Sequence, residues 1–123
     1  MKSLYLQEFP SYDDTLPTLE GFEDSSWHND ACPSLIKYLE KDTYLQIFCD
    51  YKNKELSDFA DILGDDYARF SVSYFNPEQD LNSQHLFQSN DWADIEQFIE
   101  NIEPIIEELK LWNAYIQTLR LKT

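Results

Sequence analysis

Glycine is almost absent from this 123-residue chain, which has only Gly21 and Gly64. Phosphate-cradling loops need several positions where backbone meets an anion without a Cβ. No Walker or dinucleotide-binding fingerprint is present. Cysteine is equally scarce: Cys32 and Cys49 stand far apart and form no Cys-x-x-Cys pair. Two buried free thiols in a reducing compartment are expected. No apolar run approaches the ~20 residues of a membrane span. Met1-Lys2-Ser3-Leu4-Tyr5 lacks the apolar stretch of a secretory signal. A cytoplasmic location without membrane association is the expectation.

Basic residues are the most telling shortage. Nine Lys and Arg stand against 24 Asp and Glu, a formal charge of −15. Between Glu55 and Leu109 there are fourteen acids and one base, Arg69, so −13 of the total falls in that block. Such a chain repels nucleic acid and anionic lipid and attracts basic surfaces.

What is present is a core. Hydrophobic residues make up 42% and aromatics 15%, with three Trp, eight Tyr and eight Phe. Disordered acidic chains are poor in these types. The length is that of one domain, residues 1–123. Residues 10–33 carry Pro10, Pro17, Gly21 and Pro33. They read as an ordered Pro-rich segment wrapping the body, held by Leu16, Leu19, Phe22 and Trp27.

Strands come next. Leu4–Phe9 reads as one. Leu35–Leu39 and Tyr44–Tyr51 form a hairpin through Lys41-Asp42-Thr43, with Leu45, Ile47, Cys49 and Tyr51 on one face and Gln46 and Asp50 on the other. Arg69–Phe75 alternates with Phe70, Val72 and Tyr74 inward, and Asn76-Pro77 ends it. Gln84–Gln88 is the return strand. Leu56, Phe59, Ala60 and Leu63 are spaced for a short helix capped at Gly64.

The C-terminal third carries one apolar stripe from Trp92 through Ile95, Ile99, Ile102, Ile106 and Leu109 to Leu119, at helical spacing. Asn90 and Asp91 supply N-cap chemistry, and Lys110, Arg120 and Lys122 gather at the other end, as the helix dipole favours. Pro104 either kinks this helix or opens a second one. Because the stripe keeps phase, a single long, bent helix is expected. The fold class is then α+β: a small, mostly antiparallel sheet of 4–5 strands covered by that helix.

Three constellations invite chemistry. In Trp27-His28-Asn29-Asp30-Ala31-Cys32-Pro33, His28 could activate Cys32, or His28, Asp30 and Cys32 with Asp24 could hold a metal. The spacing matches no zinc signature, and a turn around a small buried Cys explains the same residues. His85 reads as a packed or surface side chain. Asp65-Asp66 and Glu107-Glu108 match no EF-hand spacing and fit a solvated surface. Neither catalytic residue nor metal nor cofactor is expected, and the chain is not read as an enzyme. Most aromatics are assigned to the core, with Tyr12, Tyr38 and Tyr115 as candidates for a partner-facing rim.

The blocks Trp27-His28-Asn29-Asp30-Ala31-Cys32-Pro33-Ser34, Arg69-Phe70-Ser71-Val72 and Asn90-Asp91-Trp92-Ala93-Asp94-Ile95, with an aromatic strand ending Asp50-Tyr51, resemble a group of small uncharacterised bacterial proteins. The likeness spans roughly residues 20–100. It implies a bacterial cytoplasmic protein with one compact domain, and no activity.

The expected function is an acidic binding module. Asp61, Asp65, Asp66, Asp94, Glu100, Glu103, Glu107 and Glu108 are its partner-binding candidates, and a basic protein is the partner. Immunity proteins, antitoxins and DNA-mimic inhibitors share this physical type. The competing explanation is charge kept for solubility alone. A homodimer through Trp112, Tyr115, Ile116 and Leu119 is a further expectation.

Overall fold

The computed structural model describes residues 3–40, 42–77 and 83–121. Leu4–Glu8 is a one-turn helix, α1, where the sequence suggested a strand. Leu, Gln and Glu are sound helix formers. The part-buried Tyr5 amide donates to the Asp24 carboxylate (2.9 Å), which supplies a partner the first turn lacks. A two-residue strand, β1 (Glu23–Asp24), follows. The main strands are β2 (Ser34–Glu40), β3 (Thr43–Cys49), β4 (Phe70–Phe75) and β5 (Gln84–Ser89). They lie in the order β1-β2-β3-β4-β5 and every neighbour is antiparallel. The mainly antiparallel α+β architecture is as expected.

Period-two patterning places each strand. Leu45, Ile47 and Cys49 of β3 and Phe70, Val72 and Tyr74 of β4 point to one face and are buried. Ile47 pairs with Val72 and Leu45 with Tyr74, so the inward rows align across strands. Two bulges add to this face. The β2–β3 register slips between Tyr38 and Glu40 and the β4–β5 register between Val72 and Ser73. Each slip inserts a leucine, Leu39 or Leu86, and both pack against the core beside Leu45 and Tyr74. An extra residue in one strand re-aims the side chains around it.

The C-terminal stripe does not form one bent helix. It divides into α3 (Trp92–Glu100) and α4 (Glu103–Leu121), with the break at Asn101 and Ile102. Pro104 lies in the first turn of α4, where its missing N–H costs nothing. Inside a continuous helix its ring would collide with the carbonyl of residue 100. Phase survives the break. Ile95 of α3 packs with Ile47, Phe70 and Val72, and Ile102, Ile106 and Leu109 pack with Leu45 and Tyr74. The expected N-cap is Asp91, whose carboxylate accepts from the Ala93 amide at 3.0 Å. Phe87 of β5 stacks on Phe98 of α3 with centroids 4.6 Å apart. The side chains of Ile116 and Arg120, and all of Lys41 and Lys122, lie outside the described residues.

The Pro-rich segment wraps one side of the sheet. Phe9, Tyr12 and Leu16 are buried, and Leu19 and Phe22 pack against the core. Trp27 does not anchor it as expected: it is exposed and its ring lies tilted against that of His28. Tyr12 likewise belongs to the core and not to a rim, because its ring packs between Tyr5 and Tyr51. Between β3 and β4 the expected short helix is three small turns: 3-10 turns at Lys54–Leu56 and Gly64–Asp66, with α2 (Ala60–Leu63) between them. Gly64 does close α2, with φ +57, a conformation that favours glycine.

Candidate partner-binding site

Asp50 organises the end of the sheet where the 57–67 segment folds back. It follows the last residue of β3 and is buried. Its Oδ1 accepts from the Tyr51 amide (2.8 Å), and its Oδ2 accepts from the Ser57 hydroxyl (2.5 Å) and the Tyr67 phenol (2.7 Å). Ser57 Oγ then accepts from the Phe59 and Ala60 amides, which starts α2. A buried carboxylate is tolerated when donors surround it. Burial, then the bond to Asp50, pushes the Tyr67 phenol up to about 12.

The N-terminal segment is tied to the same place. The Asp13 carboxylate accepts from the Lys52 and Asn53 amides, both at 2.8 Å. Arg69 donates through Nε to the Asp50 carbonyl (2.9 Å) and through Nη2 to Asp14 (3.0 Å). The Thr15 amide and then the Arg69 guanidinium hold the Asp14 carboxyl below the usual carboxylate range.

Between the 57–67 segment and the outer face of the sheet lies a cleft of about 410 Å³. Asp30, Cys32 and Asp50 line it together with the apolar Phe48, Phe59 and Leu63. His85 and Gln88 of β5 line it as well. Phe59, Ile62 and Leu63 are exposed. Phe59 and Leu63 belong to the stretch expected to form one short helix, of which only Ala60–Leu63 is α-helical. No periodicity in the sequence marks Asp50 and Tyr67 as partners, because their bond is made by the fold.

All eight partner-binding candidates are exposed, but they form two groups. Asp61, Asp65 and Asp66 stand on the 57–67 segment. The Asp66 carbonyl accepts from Gln88 Nε2 (2.8 Å), and Asp94 accepts from Ser89 Oγ (2.6 Å), so Asp65, Asp66 and Asp94 gather near the C-terminal end of β5. Glu103, Glu107 and Glu108 lie on α4, which packs at the opposite end of the strands beside Leu39, Leu45 and Tyr74. Glu100 ends α3. Among the described residues, Glu107 alone of the eight approaches a base: Lys110 lies 3.9 Å away and is closer to Glu40, at 2.7 Å.

The Trp27–Cys32 loop takes a different form from the reactive one considered. His28 Nδ1 faces Glu8 at 3.1 Å. Cys32 is buried and free, and burial, followed by the Asp50 charge, pushes its thiol up, away from the thiolate. Among the described residues, no group of three His, Cys, Asp or Glu is placed to hold a metal ion. No described helix is long and apolar enough to cross a membrane. No family model matches the chain, and neither a curated protein nor a solved structure does.

Proposed function

We propose that this is a non-enzymatic acidic binding module of the immunity or antitoxin type, which captures a basic protein through charge. The observation that carries it is the state of the carboxylates. Asp61, Asp65, Asp66, Asp94, Glu100, Glu103 and Glu108 are exposed and make no ion pair among the described residues. Acids kept only for solubility would be equally effective interspersed with bases. Unneutralised acids at both ends of one sheet create a field that speeds the approach of a cation-rich surface. The same field argues against direct binding of nucleic acid.

The test is retention from a host lysate at low and at high salt. A basic protein held at low salt and released at high salt is expected, because exposed charges more than a Debye length apart are screened. Charge reversal of Asp65, Asp66 and Asp94 together should slow association about tenfold or more. Retention indifferent to salt, or no basic protein at all, removes the proposal.

A further inference from the structure

We infer that the cleft between the 57–67 segment and the outer sheet face is an anchor pocket for an arginine side chain of the basic partner. This rests on the function proposed above and gives it a place on the molecule. The first observation is the exposed apolar lip. Phe59 and Leu63 line the cleft with 46% of each exposed, and Ile62, between them in sequence, is 77% exposed, in a stretch that also carries Asp58, Asp61, Asp65 and Asp66. Large apolar side chains grouped on a surface mark a place that something covers. Acids between them set the sign of what covers it.

The second observation is the charge inside the cleft. Asp50 and Asp30 line it, and neither makes an ion pair among the described residues. Asp50 is 4% exposed and is held by three neutral donors. A carboxylate has about four acceptor positions, and among the described residues three are used, one of them on Oδ1. Partial burial holds the Asp30 carboxyl above its ordinary range. The cation that lines the cleft, Arg69, is engaged with Asp14 and with the Asp50 carbonyl. Two carboxylates thus share a cleft whose arginine is committed elsewhere.

The third observation selects arginine among cations. Phe48, Phe59 and Tyr67 line the cleft. A guanidinium is planar, weakly hydrated and stacks on aromatic faces, while its three-carbon stem covers apolar wall. An ammonium gives up more hydration and cannot stack. Buried arginines in aromatic pockets are also frequent anchors of protein interfaces.

The probe is a tripeptide, N-acetyl-Gly-Arg-Gly-amide, titrated into the isotopically labelled full chain and followed by amide NMR shifts. The control is the same peptide with citrulline, which keeps the shape and loses the charge. Saturable shifts are expected at Ala31, Leu63, Ala68 and Gln88, with the arginine peptide bound about fivefold or more tightly than the citrulline one. Asp30→Asn should remove most of that difference, and Glu103→Gln should leave it. Equal binding of the two peptides overturns the inference. So do shifts that spread along α4, or a linear response that never saturates. The lysate experiment fails separately. A salt-sensitive basic partner that binds Phe59→Ser/Leu63→Ser as well as the parent sinks the cleft and leaves the proposed function standing.

Discussion

The two faces of the sheet are made by the same strands and differ in almost everything else. On the inner face Leu45, Ile47, Cys49, Phe70, Val72 and Tyr74 are sealed beneath α3, α4 and the wrapping segment. On the outer face their neighbours Tyr44, Gln46, Phe48, Ser71, Ser73 and Phe75 are half-exposed. Tyr38, Tyr44 and Phe75 sit opposite one another on β2, β3 and β4 and pack as a ladder, with centroids 5.5 Å and 4.8 Å apart. Cross-strand aromatic pairs stabilise a sheet modestly. Burial against helices stabilises it far more. Stability therefore resides in the inner face, and the outer face is left free to vary its chemistry, ending in the cleft at the Asp50 corner.

The division is broken most severely from the inside. Ile47 is fully buried at the centre of β3. Ile47→Ala leaves a cavity that close packing cannot collapse, and should cost about 2–5 kcal/mol. Urea denaturation followed by tryptophan fluorescence would report it. A loss within about 0.5 kcal/mol, the ordinary range for a surface position, would mean that the inner face is not the stabilising one.

Asp50 tests the boundary between the faces. Asp50→Ala leaves the Ser57 hydroxyl and the Tyr67 phenol without their acceptor, a loss of about 1–3 kcal/mol. The effect should be local. Amide exchange should quicken across residues 57–67 while Ile47 and Val72 stay protected. Uniform quickening across the sheet would show that Asp50 supports the whole domain and not one corner.

A smaller effect follows from the Tyr67 phenol, whose folded value is about 12 against an ordinary 10. Below pH 10 both folded and unfolded chains hold this proton, and the contribution is fully present. Above pH 10 the unfolded chain releases it first, so stability falls as pH rises through about 12. Cys49, pushed up to about 12 by burial, acts in the same direction. The thermal midpoint should decline over this window, less steeply in Tyr67→Phe. Identical slopes for parent and variant would refute the upward shift of the Tyr67 phenol by burial and by Asp50.

How far the chain announces this division depends on the range of each interaction. Alternation in Tyr44–Cys49 and Phe70–Tyr74 is a local pattern, and it correctly separates inside from outside. The bulges at Leu39 and Leu86 are invisible, since they depend on which residue of the next strand each one meets. The stripe from Trp92 to Leu109 is legible, whereas the break before Pro104 turns on one missing donor and one ring clash. Leu4–Phe9 reads as a strand but Leu4–Glu8 is a helix, and the bond from Tyr5 to Asp24, nineteen positions away, accompanies it. The cleft was hidden for the same reason. Its walls come from residues 30–32, β3, the 57–67 segment, β4 and β5, and no local pattern in the sequence says that these segments meet.

The smallest expected effect on stability concerns α4 beyond Leu109. There Leu111, Trp112, Tyr115 and Leu119 are exposed, and Trp112 packs on Tyr115 with centroids 5.6 Å apart. Here the apolar stripe is largely uncovered, and Leu111, Trp112 and Tyr115 share an open hollow with Gln84 of β5. Trp112→Ala should change monomer stability by no more than about 0.5 kcal/mol. If a second copy covers this face, as the proposed homodimer through Trp112, Tyr115, Ile116 and Leu119 requires, light scattering should give twice the 14.6 kDa chain mass, and Trp112→Ala should return it to one. Stability would then rise with protein concentration, because assembly is linked to folding by mass action. A monomeric mass at every concentration would leave these apolar side chains as surface and would remove the homodimer, while the acids of α4 stay available to a basic partner.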